Sequence, residues 1–441
     1  MTLISRNWGA DRSRIKRFKK TRPEFTKPFL FGNGLEFDRW IDYTNGSARS
    51  NGKSEGDLIE SPGYVIESLL RDWVFTERTL KIDTVNSTSS VIISGATYNT
   101  PLLSSVDDFY NGAIWWNHST GWKTYISDYV GSSKTLTLGS ADITGAMVAG
   151  DVVSITNIQG DNLIDVTTFD TIGNTTNGLR KDYKLARSIS EFTNTREVIS
   201  SICSDFLLFL FKSGGKYKLA TLEAKATADG TFSNPLKENG APKIFTYLTD
   251  LNSYYSDFIF AHSYNHGKGE FNYKMSCNAK GSTSGLGSTY ETLCRTANEQ
   301  YKKGTRLYEK EFENIYNGID SLPTTTTTMH SIAKLLITFY TKLRLGVEYY
   351  GDFKNHITYE IGDQVKINYS GAIPTGLNNS AFFLITDKQI ESVNGIPTVR
   401  FTLMETFTVM NSFGRLFSFF WTDHNGNNIT DHNGNKIEFR P

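Results

Sequence analysis

The pentapeptide Asp-His-Asn-Gly-Asn occurs twice near the end of the chain, at 423–427 and 431–435. Asp, His and Asn all bind metals, and Asp423, Asn425 and Asn427 fall on the first three ligand positions of a calcium loop. Such a loop needs Gly at its sixth position and a bidentate Glu at its twelfth. Asn428 and Gly434 stand there, so the anchoring carboxylate is missing. His424 and His432 lack a companion carboxylate set, which argues against zinc as well. The repeat reads as geometry instead. Asn425-Gly426 and Asn433-Gly434 each suit a turn with positive φ at two consecutive residues, folding residues 422–441 into a meander of three very short strands.

Other reactive constellations fall short in similar ways. NGSARSNGKS has five residues between Gly46 and Gly52-Lys53-Ser54 where a phosphate loop needs four, and it reads as a flexible loop. GSTSGLGS, at 281–288, has no apolar strand leading in, so a dinucleotide site is not indicated. His262 and His266 are four apart, but a hairpin turn around NHGKG explains them better than a helical zinc pair. Asp107-Asp108 would point to opposite faces of a strand and could not flank one glycosidic bond. Cys203, Cys277 and Cys294 are too few and too scattered for a disulfide framework or zinc spacing, and Cys203 lies on an apolar helical stripe. The expectation is a protein that is not an enzyme, with no cofactor and no metal.

Charge and hydropathy narrow the partners. The chain has 46 basic and 46 acidic residues, so no global field draws in nucleic acid or a membrane surface. Locally, residues 1–29 hold nine Lys/Arg against Asp11 and Glu24, a surplus of seven. This basic arm, with Arg12, Arg14, Lys16, Arg17, Lys19 and Lys20, reads as facing a partner protein. No apolar run approaches the roughly 18 residues of a membrane helix, and RNWGADRSRIKRFKK is no signal peptide. The thiols and the basic start lead to the expectation of a chain made in a cytosol, with no secretion address and no membrane partner.

Aromatic residues at 13%, with loops crowded by Thr, Ser, Gly and Asn, favour strands. The expected class is α+β, mostly β: several small β-barrel or sandwich domains, one helix–strand domain, and one β domain inserted into it. Residues 1–58 form the arm and linker. SPGYVIESLLRDWV reads as a helix with Ser61 as N-cap, Pro62 at its first position, and Val65, Ile66, Leu69, Leu70 and Trp73 on one face. NTREVISSICSDF starts a second helix, with Asn194 and Glu197 at capping-box spacing, and runs into LLFLF, Gly214-Gly215 and KYKLATL. These belong to a discontinuous helix–strand domain, 59–83 with 162–235. The Thr- and Ser-rich stretch 84–161 keeps no helical period and reads as a small inserted β module. A β-rich domain follows at 236–322.

MHSIAKLLITFYTKLRL gives a third helix, with Ile332, Leu335, Leu336, Phe339 and Leu343 on one side, in a helix-plus-barrel domain at 323–421. Asn394-Gly395, set between two alternating strands, is a strong hairpin signal. Gly150-Asp151-Val152-Val153 and Gly362-Asp363-Gln364-Val365 echo each other as turns that feed strands.

The order of SPGYVIESLLRDWV, LIDVTTFD, LLFLFKSGGKYKLATL, DFIFAHSYNHGKGEFNYKMSC, AKLLITFYTKLRLGVEYY, EIGDQVKINYSG and FLITDKQIESVNGIPTVRFTLMET resembles the baseplate hub or tail-associated proteins of tailed bacteriophages. VDDFYNGAIWWNHSTGWKTYISDYVGSSKTLTLG is similar to a β module of phage tail and fibre proteins, and the DHNGN repeats to endings of tail proteins. The resemblance spans most of 59–441. It lies in order and phrasing, without an invariant motif, and the usual first barrel of a hub is not evident in residues 1–58.

This resemblance implies a structural virion protein. It would form a ring with itself, commonly threefold, join the tail tube to fibre or spike, and be assembled in the host cytoplasm. The arm would dock on an acidic neighbour. The terminal meander, with Trp421, Asn425, Gly426, Asn433, Gly434 and Phe439, would meet the next component. Two alternatives stand beside it. Trp115, Trp116, Trp122 and Tyr125 of the insert could stack on host surface glycans, although filling the module's own core is the blander role. A cell-wall hydrolase would need a converged site that the sequence does not display.

Overall fold

The computed structural model describes residues 24–25, 29–32, 49, 51–54, 57, 59–93, 103–141, 147–180, 183–189, 193–225, 227–248, 254–265, 270–282, 286–301, 305–315, 328–369, 371–373, 378, 380–406, 419–420 and 438–439. The basic residues of the arm, Arg12 to Lys20, and both DHNGN repeats lie outside them. Of the terminal meander, only the antiparallel pairing of Phe419–Phe420 with Glu438–Phe439 is described.

The first helix, α1 (Pro62–Leu69), is buried along its length. Ser61 has the extended backbone of an N-cap, but its buried hydroxyl makes no capping bond. Pro62 at the first position needs no donor there. The helix then widens into a π turn, Leu70–Val74, closed by Phe75 N–H donating to the Leu70 carbonyl at 2.7 Å.

From this turn the chain enters β1 (Thr76–Lys81), β2 (Thr84–Ser87), β3 (Ser90–Ile92), β4 (Ile114–Asn117), β5 (Lys123–Val130), β6 (Thr135–Leu138) and β7 (Val152–Thr156). They form one sheet in the order β1-β7-β4-β5-β6-β3-β2. Its two edge strands, β1 and β2, are separated by only Ile82 and Asp83, so the sheet must curl until its edges meet. A register shift between Ile126 and Asp128 in β5 supplies a matching bend. The interior is its own: Leu80, Val91, Tyr110, Trp115, Ile126, Tyr129, Val153 and Ile155 pack together. β1 and β7, the strands of entry and exit, lie side by side and antiparallel.

The chain re-enters the helical layer through α2 (Val166–Gly173) and then α3 (Thr195–Phe206). The Asn194 side chain caps α3 by accepting from Arg196 N–H at 2.8 Å. β8 (Leu208–Ser213) and β9 (Lys216–Thr221) follow as a hairpin turned by Gly214-Gly215, both at positive φ. Val198, Ile199, Ile202 and Phe206 of α3 join Val65, Ile66 and Leu69 of α1 in the largest core.

Two larger sheets follow. β10 (Gly230–Phe232) and β11 (Ile244–Leu248) precede β12 (Asp257–Asn265), β13 (Glu270–Asn278), β14 (Gly281–Ser282), the helix α4 (Ser288–Tyr301) and β15 (Leu307–Phe312). After these come α5 (Thr328–Tyr340), β16 (Leu345–Asp352), β17 (Gln364–Ile367), β18 (Phe382–Val393) and β19 (Ile396–Glu405). One sheet runs β14-β13-β12-β15, the other β10-β17-β18-β19-β16-β11. The β18–β19 turn places Asn394 and Gly395 at φ 52° and 78°, as Asn-Gly hairpins require.

The architecture is α+β and mostly β. The six-stranded sheet reaches across the expected bounds: β10, at 230–232, bonds in parallel to β17, and β11, at 244–248, bonds antiparallel to β16. The 236–322 segment also holds α4, which the strand-rich reading missed although Tyr290, Leu293, Cys294 and Ala297 follow a helical stripe.

Candidate functional site

The most concentrated polar chemistry sits where the curled sheet joins the helices. Glu67, fully buried on α1, accepts from Arg49 at 2.6 Å and from Arg71 Nε at 2.8 Å through one oxygen. Arg71, also buried, donates to Asn157 Oδ1 at 2.6 Å and Asp161 at 2.5 Å, while its carbonyl accepts from Asn157 N–H. Arg49 makes a fork with Asp170, at 3.2 and 2.6 Å, and Tyr64 donates to the same carboxylate at 2.9 Å.

Burial would lower the Arg49 pKa, but Glu67 and Asp170 outweigh it and raise it. Burial and the Asp170 charge push Tyr64 upward. These charges are spent on one another; the cluster is a joint and not a reaction centre. Within NGSARSNGKS, read as a flexible loop, the described Arg49 is held by two carboxylates. A second joint is Arg180, buried, which bonds the Glu223 carboxylate and donates to Thr221 Oγ1 at 3.0 Å. Composition gave no sign that these arginines are internal; only their carboxylate partners reveal it.

The carboxylates weighed for glycoside cleavage lie in a turn, not on a strand. Asp107 accepts from Gly131 N–H at 2.7 Å, and Asp108, at φ 60°, accepts from Asn111 at 2.7 Å. His262 is buried on β12 at 5.5 Å from the Tyr273 ring, and burial with His330 nearby pushes it down to about 4. His266 is outside the described residues. Cys277 and Cys294 are buried with sulfurs 3.7 Å apart, the hydrogen bond shared with Cys277 and burial raising the Cys294 pKa. Among the described residues no group of three or more His, Cys, Asp or Glu could hold a metal ion. No described helix is long and apolar enough to cross a membrane.

The four aromatic residues considered for glycan stacking do not share a surface. Trp115 is fully buried and Trp122 is 7% exposed, both in the curled sheet's interior. Tyr125 packs against the helical core, its ring filling the space where a Gly139 side chain would stand. Trp116 is half-buried, with Lys123 Nζ 4.5 Å over its ring and the His118 ring 4.3 Å away. Alternation along β4 and the core's demand for large apolar rings account for this.

A cavity of about 850 Å³ opens between α3, the β8–β9 hairpin, the π turn and the six-stranded sheet. Its wall includes Val74, Ile199, Phe209, Phe211, Tyr217 and Leu384, with Arg196 and Lys212 as charged members. Cys203 also lines it, its thiol pushed up to about 12 by burial. A second exposed feature is β11, an outer strand bonded among the described residues only to β16, where Phe245 and Tyr247 are 52% and 41% exposed.

No protein-family model and no curated protein matches the chain. Solved structures give distant likenesses. A tail protein from Neisseria meningitidis MC58 is 10% identical, covers 62% of this chain and 81% of its own, and has a TM-score of 0.33. A chain of the virion of a native gene transfer agent particle is 8% identical over 65% of this chain and 67% of its own, at 0.34. A prophage tail protein from Listeria monocytogenes EGD-e is 10% identical over 74% and 89%, at 0.27. Superpositions that loose leave the role of this chain to its own residues.

Proposed function

We propose that the chain is a structural component of a bacteriophage tail tip or baseplate, a hub-like protein joining the tail tube to fibre or spike through protein–protein contacts. The observation that carries this reading is β11. It is a sheet rim with exposed Phe245 and Tyr247 and no strand paired beyond it among the described residues. Open rims of β-prone residues are surfaces for other protein chains. The order of sequence elements that resembles hub proteins points the same way.

In this reading the protein is not an enzyme, assembles with itself as a ring, commonly threefold, and is built into the virion in the host cytoplasm. The basic arm docks on an acidic neighbour, and residues 422–441 meet the next tail component. The 84–161 stretch is an inserted module. Electron microscopy of the purified protein tests the class: rings with a central hole are expected, and a population of lone monomers at every concentration overturns it. Deleting residues 422–441 is expected to abolish attachment of the next component while the core stays folded.

A further inference from the structure

The 850 Å³ cavity has one wall made of five consecutive residues, Leu208 to Lys212 of β8. In a hairpin closed by a two-residue turn, the pair flanking the turn exchanges both hydrogen bonds, and the exchange recurs at every second pair. Ser213 and Lys216 are that pair, so Phe211 and Phe209 bond to β9. Leu208, Leu210 and Lys212 therefore turn their backbone groups away from β9. The Leu210 N–H meets the Cys203 thiol, a weak acceptor that leaves the strand's outer side poorly satisfied.

At about 3.3 Å per residue this wall suits four or five residues of extended chain. Phe209 stands 42% exposed on it. The two charged lining residues among the described ones, Arg196 and Lys212, are both cationic and exposed, and no carboxylate among the described residues lines the cavity. Neither cation has an acidic partner among the described residues.

We propose that this groove receives an extended segment of a neighbouring protein subunit, laid along β8, apolar toward the groove and carrying a carboxylate that meets Arg196 and Lys212. The inference rests on the structural role proposed above and names the chemistry of one of its contacts. Strand addition supplies the backbone bonds, and the cations set the charge preference.

The test uses the full-length chain and a labelled octapeptide, Thr-Val-Glu-Val-Thr-Val-Glu-Val, followed by fluorescence anisotropy, with a second peptide in which both Glu are Lys. The acidic peptide is expected to bind saturably, and the basic one about tenfold more weakly. Arg196→Glu with Lys212→Glu is expected to invert that ranking. Ser200→Trp, at an exposed lining position, is expected to weaken both peptides. Lys212→Glu alone, on an exposed side chain, keeps the test valid should the double variant misfold.

Absence of saturable binding up to about 1 mM overturns the inference. So does a ranking that charge reversal leaves unchanged. Rings seen by microscopy without peptide binding sink only this inference; peptide binding without rings sinks only the structural role.

Discussion

The seven-stranded and six-stranded sheets each take one strand, β7 and β17, from the same kind of turn, yet they stand differently in the chain. Gly150 and Gly362 sit at φ 94° and 93°. The Asp after each accepts from the N–H three residues back, Val148 at 3.2 Å and Glu360 at 2.8 Å. The seven-stranded sheet draws on one continuous stretch and closes around its own core. The six-stranded sheet takes β10 and β11 from one part of the chain and β16 to β19 from another, with a four-stranded sheet and two helices between. The same local chemistry thus serves a sheet built from one stretch of chain in one place and a sheet built from two in the other. Connectivity makes the difference.

The largest test of that contrast is excision. Replacing residues 77–155 by a short Gly-Ser linker is expected to leave a cooperatively unfolding remainder with its helical circular dichroism intact, because β1 and β7 already lie side by side. Removing residues 230–248 is expected to abolish cooperative unfolding. If both shortened proteins behave alike, the distinction fails.

Within the curled sheet, Trp115→Ala removes a fully buried ring and is expected to cost about 3–5 kcal/mol in urea unfolding. Trp116→Ala, half-buried one residue along, is expected to cost far less. At the joint, Arg71→Leu leaves Glu67 buried against Arg49 alone and is expected to cost about 3–5 kcal/mol. Replacing Glu67 by Met in the same chain is expected to restore part of that loss.

The four-stranded sheet supplies a pH readout. His262 is held at about 4 against an ordinary 6.5, so the fold keeps it neutral while the unfolded chain takes up a proton. Stability is then complete above pH 6.5 and falls as pH drops toward 4, by up to about 3 kcal/mol. Chemical denaturation at a series of pH values should show this slope, and His262→Gln should flatten it.

The smallest effect separates the two twin turns. Gly150→Ala and Gly362→Ala each strain a positive φ, at about 1 kcal/mol. A Gly362 side chain would also lie 2.2 Å from the Phe211 ring, so the second substitution is expected to cost more. Thermal midpoints of the two variants decide it.

How much of this was legible in the sequence follows from the range over which each signal acts. Gly214-Gly215 and Asn394-Gly395 were readable because a two-residue turn states its own φ requirements. The faces of α1, α3 and α5 were readable from apolar spacing alone. The helix α4 escaped because a strand-rich neighbourhood and the glycines before it masked a stripe that was present. The partners of β10 and β11 are about a hundred residues away or more, beyond any local pattern. The groove was invisible for the same reason, and so were the distant partners of Arg49 and Arg71, namely Asp170, Asn157 and Asp161, although Glu67 and Arg71 stand only four residues apart. The aromatic residues of β4 could be read as surface or core from sequence, and burial separated them.

The side-by-side roots of β1 and β7 have an evolutionary consequence. A cassette whose two ends emerge together can be exchanged for another, longer or shorter, without moving the scaffold that carries it. The Arg71–Asn157 latch at the root, and the packing of Ile114 and Tyr125 on the helical core, are what such an exchange would have to keep.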